Sequence, residues 1–228
     1  MQVFQQIRSA LRHLNPEEVR REAARPLSVE VDAVARDPEP AVREILLYYP
    51  DHSIALARQF PPFRRPVIGR IIREVSRENA LFALFTALPS VIPNLISLGW
   101  AAGEFASDTA VLTANQVRMA FLIAAASDRP VGYIEQKSQI ASIILGAFGW
   151  RAIARELAGK IPFGEGLIPK AAVAYAGTYV VGLSLERYHR IGHWLTAAER
   201  RAAYREALES GKRFARWTLA SKQARTDE

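Results

Sequence analysis

The sequence contains no cysteine among its 228 residues. This absence excludes disulfide bonds and a thiol nucleophile, and it leaves the redox compartment open. Lysine is also scarce, because only 5 of the 30 basic residues are lysine and the other 25 are arginine. The formal net charge is +7, and such a basic surplus predicts phosphate surfaces, of lipid or of nucleic acid, as partners.

Several motifs that mark enzymes and exported proteins are missing as well. Residues 1–15 have no hydrophobic signal core, which argues against secretion. Gly211-Lys212 lacks the earlier glycine of a P-loop, and Arg213 stands where a Ser or Thr must bind magnesium. There is no G-x-S-x-G nucleophile elbow. The sequence therefore predicts no enzyme, no catalytic residue and no cofactor.

The spacing of residues bears on two other kinds of site. His189 and His193 are four residues apart and could share a metal ion on one helix face, with Glu186 as a third ligand. No acid lies between them, and a surface pair beside Tyr188 and Trp194 is the preferred interpretation, so no metal site is predicted. Nucleic-acid binding is not predicted either, because the sequence shows no helix-turn-helix spacing, zinc ligands or RNP-like aromatic strands.

Charge is distributed unevenly along the chain. Residues 79–185 hold 13 charged side chains in 107 positions, whereas both flanks are rich in charge. Within this centre, residues 79–103 form an uncharged run of 25, which is long enough to cross a bilayer. Pro89 and Pro93 interrupt the run, so a kinked or re-entrant segment, or a buried core segment, fits better than a straight span.

Residues 138–186 predict a tight helical hairpin. Two apolar runs rich in Ala, Gly, Ser and Thr flank residues 160–166, where Pro162, Gly164 and Gly166 favour a chain reversal. Small residues allow close helix packing, and Ala172 and Ala176 are expected to face the first helix near Gly146 or Gly149. Arg151 and Arg155 lie on that first helix, where they form either a structural ion pair or a contact with lipid phosphate or an acidic partner.

The flanks carry clear local signals. Asn15-Pro16-Glu17-Glu18 predicts a helix start, and Thr196-Ala197-Ala198-Glu199 is a capping box. Residues 27–35 fit a strand or a helix, residues 36–40 a loop, and a long helix is expected to begin at Pro66. Gly211 is expected to end or kink the C-terminal helix. The candidate lipid or phosphate contacts on this basic amphipathic stretch are Arg200, Arg201, Arg205, Lys212, Arg213 and Trp217.

The order of residues in the centre resembles the bacterial YcjF-like family over residues 81–190. The upstream part of the pattern is Val111-Leu112-Thr113-Ala114-Asn115-Gln116-Val117-Arg118-Met119. The downstream part includes Gly149, Arg151, Ile161-Pro162-Phe163-Gly164, Ala172, Ala176, Thr178 and Gly182. The resemblance implies a helical, membrane-associated domain that is fused to, or encoded beside, an Era-like GTPase. Its candidate interaction residues are Gln116, Gly149, Arg151, Arg155, Pro162, Gly164, Gly166, Thr178 and Gly182.

Together these observations predict a mainly α protein of helical hairpins with a charge-poor centre rich in small residues. Residues 1–65 form a charge-rich arm, residues 66–190 the apolar hairpin domain, and residues 191–228 a basic helix and tail. The predicted function is that of a non-enzymatic partner of a GTPase system, associated with anionic lipid and with both flanks on the cytoplasmic side. A homo-oligomer is compatible with this prediction. One alternative is a cytoplasmic helical scaffold or interaction protein that buries the hairpin in its own core. The other is a lipid- or metal-handling enzyme, which only the pair His189 and His193 supports.

Overall fold

A computed structural model describes residues 2–27, 38–86, 108–145 and 167–224. All regular secondary structure within these ranges is helical, which confirms the predicted mainly α fold. The helices are α1 (Gln2–Arg12), α2 (Pro16–Ala23), α3 (Pro38–Tyr48), α4 (Ser53–Gln59), α5 (Pro61–Phe85), α6 (Asp108–Ala126), α7 (described over residues 137–145), α8 (Leu167–Ile191) and α9 (Ala197–Ala224), with a 3-10 turn at Pro50–His52.

Both predicted helix starts in the flanks are confirmed. The backbone N–H of Glu17 donates to Asn15 Oδ1 at 3.0 Å, and Pro16 fills the first position of α2. At the start of α9, the N–H of Glu199 donates to Thr196 Oγ1 at 3.3 Å. The N–H of Thr196 in turn donates to Glu199 Oε2 at 2.8 Å, which completes the capping box. The hydrogen bond from the Thr196 backbone, with further donors from Arg187 and the Thr196 hydroxyl, lowers the pKa of Glu199 to about 2.

Three predicted boundaries are wrong. Helix α5 starts at Pro61 rather than at Pro66, because Pro61 and Pro62 occupy positions whose N–H groups need no helical partner. Helix α3 begins at Pro38, inside the predicted loop. Helix α9 continues through Gly211 to Ala224. The ambiguous stretch after Leu27, the proline-broken run beyond Thr86 and the hairpin turn lie outside the described residues.

Helix α8 lies at the centre of the bundle, between α5 and α9. Gly182 of α8 lies against Ile72 of α5, and Lys170 Nζ donates to Thr86 Oγ1 at 3.2 Å, so α5 and α8 are antiparallel. Helix α6 packs on both α5 and α8, and its other side receives α1, α2 and α4. The large side chains that fill this core with almost no exposure include Ile7, Leu56, Phe63, Ile72, Met119, Phe121 and Leu185.

The contact between α8 and α9 depends on small residues. Arg187 pairs with Glu199 near the connection, and Gly211 lies against Ala172 further along, so these two helices form an antiparallel hairpin. A Cβ atom at Gly211 would lie 2.9 Å from Ala172 Cα and 3.0 Å from its carbonyl oxygen. The sequence predicted that Ala172 faces the first helix of the hairpin at residues 138–186. In the described structure Ala172 instead contacts α9. Gly146 and Gly149 are outside the described residues.

We expect Gly211→Ala to destabilise the protein by up to about 2 kcal/mol. The new methyl group meets backbone atoms that cannot rotate away, and overpacking of about 1–3 kcal/mol outweighs a gain of roughly 1 kcal/mol in helix propensity. Gly69→Ala is the matched control, since a Cβ there meets only the flexible end of Arg73 at 3.3 Å. Urea unfolding measures both variants, and a Gly211→Ala protein as stable as the Gly69→Ala protein would contradict this helix contact.

Candidate functional site

A buried network of amide and hydroxyl groups lies where α5, α6 and α8 meet. Asn79 Nδ2 donates to Thr178 Oγ1 at 2.8 Å and to the carbonyl oxygen of Leu112 at 3.3 Å. Asn115 Nδ2 donates to Asn79 Oδ1 at 2.8 Å, and Gln116 Nε2 donates to Thr178 Oγ1 at 3.2 Å. Asn79 is fully buried and Thr178 is 1% exposed. Because water does not reach these polar groups, they form hydrogen bonds with one another.

Each helix contributes to the network from a face that is otherwise apolar. Asn79 follows Val75 on the buried face of α5, and Asn115 and Gln116 lie between Ala114 and Val117 on α6. One turn after Thr178 on α8, a Cβ at Gly182 would lie 2.7 Å from Ile72 Cγ1 and 3.1 Å from Met119 Sδ. The absence of a side chain at Gly182 thus lets the three helices approach closely enough for the polar groups to pair.

The chemistry of this network is that of packing rather than catalysis. Its members are amides and a hydroxyl, and neither changes charge near neutral pH. Thr178 Oγ1 accepts from two amide groups, and none of its described partners is a base that could remove its proton. Such a network fixes the register of helices, because sliding one helix would leave buried donors without acceptors.

Three of the residues predicted from the family pattern come together here. Gln116 bonds to Thr178, and Gly182 makes the close approach one turn further on. Sequence reasoning missed the role of Asn79 and Asn115, although single polar residues within apolar helical runs were the available signal. The remaining pattern residues lie outside the described residues, and they are Gly149, Arg151, Arg155, Pro162, Gly164 and Gly166.

The predicted basic residues of α9 divide into two groups. The inner face of α9 presents Ala207, Gly211 and Ala215 to the bundle, and all three are buried. At about 100° per residue, Arg201, Arg205, Lys212 and Arg216 fall within roughly 60° of one another, on a flank of the helix roughly 80–140° from the centre of that inner face. We call Arg201, Arg205 and Arg216, which are all exposed, the basic stripe.

The other predicted contacts lie beside or away from the basic stripe. Lys212 Nζ pairs with Glu209 at 2.7 Å, and Arg213 Nη2 donates to Ser210 Oγ at 3.0 Å. Trp217 lies at least about 100° around the helix from the stripe, and it is 67% exposed. Arg200 lies away from the stripe, and its Nη1 donates to the carbonyl oxygen of Leu195 at 2.6 Å.

His189 and His193, the possible metal pair, do not share a helix face. Helix α8 ends at Ile191, and Gly192 has a φ of +79°, so His193 already belongs to the connection to α9. His189 is half-buried, and burial together with the nearby charge of Arg129 lowers its pKa to about 4. Among the described residues, no three acidic or histidine side chains are close enough to hold a metal ion.

Comparisons with known proteins give no relative for this chain. No family model, curated protein or solved structure matches it. The YcjF-like resemblance and the GTPase association that it implies therefore stay predictions.

Proposed function

We propose that this chain is a non-enzymatic helical protein that attaches to the cytoplasmic face of an anionic membrane through the exposed flank of α9 that carries the basic stripe. The observation that carries the proposal is the basic stripe, which is exposed on one flank of α9 and has no ion pair among the described residues. We further propose that the attached bundle binds a GTPase, which is the partner that the YcjF-like resemblance implies.

The charges and the packing of α9 favour electrostatic attachment to the membrane surface over insertion of an apolar helix face into the bilayer. A membrane-surface helix usually inserts its apolar face between headgroups. In α9 that face is already packed against α8, and Phe214 lies beneath the guanidinium of Arg77 at 5.9 Å. Within the described part of α9, Trp217 is the one large apolar side chain that stands out into solvent. Each arginine near an anionic surface contributes about 1 kcal/mol, so the basic stripe dominates the binding energy.

The position of α6 favours peripheral attachment over a crossing by this helix. Thr109–Ala126 is the one segment of the described helices that is long and apolar enough to span a bilayer, and 78% of it is buried inside the bundle. The core helix of a soluble protein has the same properties. This burial also supports the second candidate function, a helical scaffold that stays in the cytoplasm and binds only proteins.

Sedimentation with vesicles separates the two functions. We expect the full chain to bind phosphatidylglycerol vesicles at low salt, to be released as salt rises, and to ignore phosphatidylcholine vesicles. Salt screens surface charge within about 10 Å at 0.1 M, which is why release is expected. Binding to neither vesicle would favour the scaffold. Binding to both vesicles regardless of salt would indicate apolar insertion and contradict attachment by the basic stripe.

A further inference from the structure

A cleft of about 600 Å³ lies where the connection between α6 and α7 meets the C-terminal end of α8. Its walls include Arg129, Glu135 and Gln139 on one side and Tyr188, His189 and Ile191 on the other. None of these residues belongs to the buried polar network or to the basic stripe, so the cleft is independent of the function proposed above.

The connection that forms one wall of the cleft is held in place by its own hydrogen bonds. Gln136, which is 2% exposed, accepts from the Gly132 N–H at 2.8 Å and donates to the Pro130 carbonyl oxygen at 2.8 Å. Arg20 of α2 donates to the carbonyl oxygen of Val131 at 2.7 Å. These bonds preorganise the wall, which reduces the entropy that a ligand must offset on binding.

Two polar atoms of the cleft lack partners. Gln139 is 4% exposed, and its Oε1 has no hydrogen-bond partner in the part of the chain that the structure describes. The Nε2 atom of His189 is buried and is likewise unpaired there. Buried polar atoms in proteins are nearly always paired with protein groups or ordered water, so two such atoms in one cleft offer hydrogen-bonding positions to a ligand with polar groups.

The charges around the cleft indicate the sign of that ligand. Arg190 is neutralised by Glu186 at 2.9 Å, and the carboxylate of Glu135 turns toward Gly132, beside Arg20. Arg129 is exposed and has no ion pair among the described residues, and it lies close enough to His189 to lower the pKa of the imidazole. Arg129 is therefore the cation available to an anion in this cleft.

We propose that the cleft binds the phosphate group of a small soluble phosphomonoester. Arg129 and His189 bind its oxygens, and Gln139 Oε1 accepts a hydrogen bond from the P–OH group of the monoanion. Tyr188 and Ile191 supply an apolar wall for the organic part, and the volume leaves room for it. Among small oxyanions, the protonated phosphate is favoured because it carries both acceptors and a donor.

NMR of the His189 imidazole tests the proposal directly. Inorganic phosphate and phenyl phosphate are titrated at about pH 6, where a phosphate ester still carries its P–OH group. We expect both to shift the His189 signals and to raise the pKa of His189, because a bound anion offsets the charge of Arg129. Sulfate has no proton to donate to Gln139, so sulfate should bind at least about tenfold more weakly than phosphate.

Variants assign the effect to the cleft. Arg129→Gln should raise the pKa of His189 by itself and abolish the further response to phosphate, whereas Arg65→Gln, an exposed arginine on α5, should change neither. Gln139→Leu should remove the preference for phosphate over sulfate. Equal responses to sulfate and phosphate, or a phosphate response that survives Arg129→Gln, would overturn the proposal. So would a response only to vesicles of equimolar phosphatidylcholine and phosphatidic acid, which would assign the cleft to a lipid headgroup.

Discussion

Replacing Asn79 with leucine is expected to lower the free energy of unfolding by about 3 kcal/mol. Leucine fills a similar volume, so the loss comes from hydrogen bonding rather than from a cavity. Asn115 Nδ2 loses its buried acceptor, which costs about 1–3 kcal/mol, and the Thr178 hydroxyl and the Leu112 carbonyl each lose one of their hydrogen bonds. Urea unfolding of the full chain measures the change, with the m-value as a check that the unfolding reaction is the same.

Ser76 supplies the matched control for this prediction. It lies one turn before Asn79 on α5, is equally buried, and its Oγ has no partner among the described residues. Ser76→Ala should therefore leave stability unchanged or raise it. In the double variant Asn79→Leu, Asn115→Leu, the loss should be smaller than the sum of the single losses, because both members of one hydrogen bond are removed. An Asn79→Leu protein as stable as Ser76→Ala would mean that the polar network does not form.

Neutralising the basic stripe is expected to weaken binding to anionic vesicles by roughly a hundredfold. The change is Arg201→Gln, Arg205→Gln and Arg216→Gln in one chain, and each arginine contributes about 1 kcal/mol near an anionic surface. The three residues have no ion pair in the described structure, so the substitution leaves no acid unpaired inside the fold. Affinity for phosphatidylglycerol vesicles is measured by sedimentation at one fixed low salt concentration.

The control for this variant must carry the same change in net charge. Arg8, Arg12 and Arg43 are exposed on α1 and α3, and changing all three to Gln leaves α9 intact. If binding depends on the total charge of the protein, both triple variants weaken alike. A selective loss in the α9 variant supports the basic stripe, and equal losses would show that α9 is not the binding face.

Local signals in the sequence predicted the two capped helix starts, but they did not predict the contacts between helices. Asn15 and Thr196 cap helices through side-chain bonds to residues within three positions, so the pattern contains the whole interaction. Gly211 was predicted to end or kink a helix on its low propensity alone. A glycine is needed at this position because the backbone of Ala172 lies against it. No local pattern reveals a partner 39 residues away on another helix.

The candidate site was predicted only in part, because its residues lie far apart in the sequence. Gln116 and Thr178 were selected from the family pattern, and the structure joins them by a hydrogen bond. Asn79 lies 99 residues from Thr178, and its polarity inside an apolar run shows that a partner is needed without showing which one. The basic stripe required the orientation of α9, because the sequence alone placed Arg200 with Arg201 although the two point in different directions.

The most direct test of peripheral attachment is a wash of membranes from cells that express the full chain. If the basic stripe attaches the protein by charge, high salt or alkaline carbonate should release it into the supernatant. The arginine variant of α9 should already be in the supernatant before the wash, and the variant of α1 and α3 should behave like the parent. A parent protein that stays in the membrane pellet through both washes would contradict attachment by α9 and would show that part of the chain enters the bilayer.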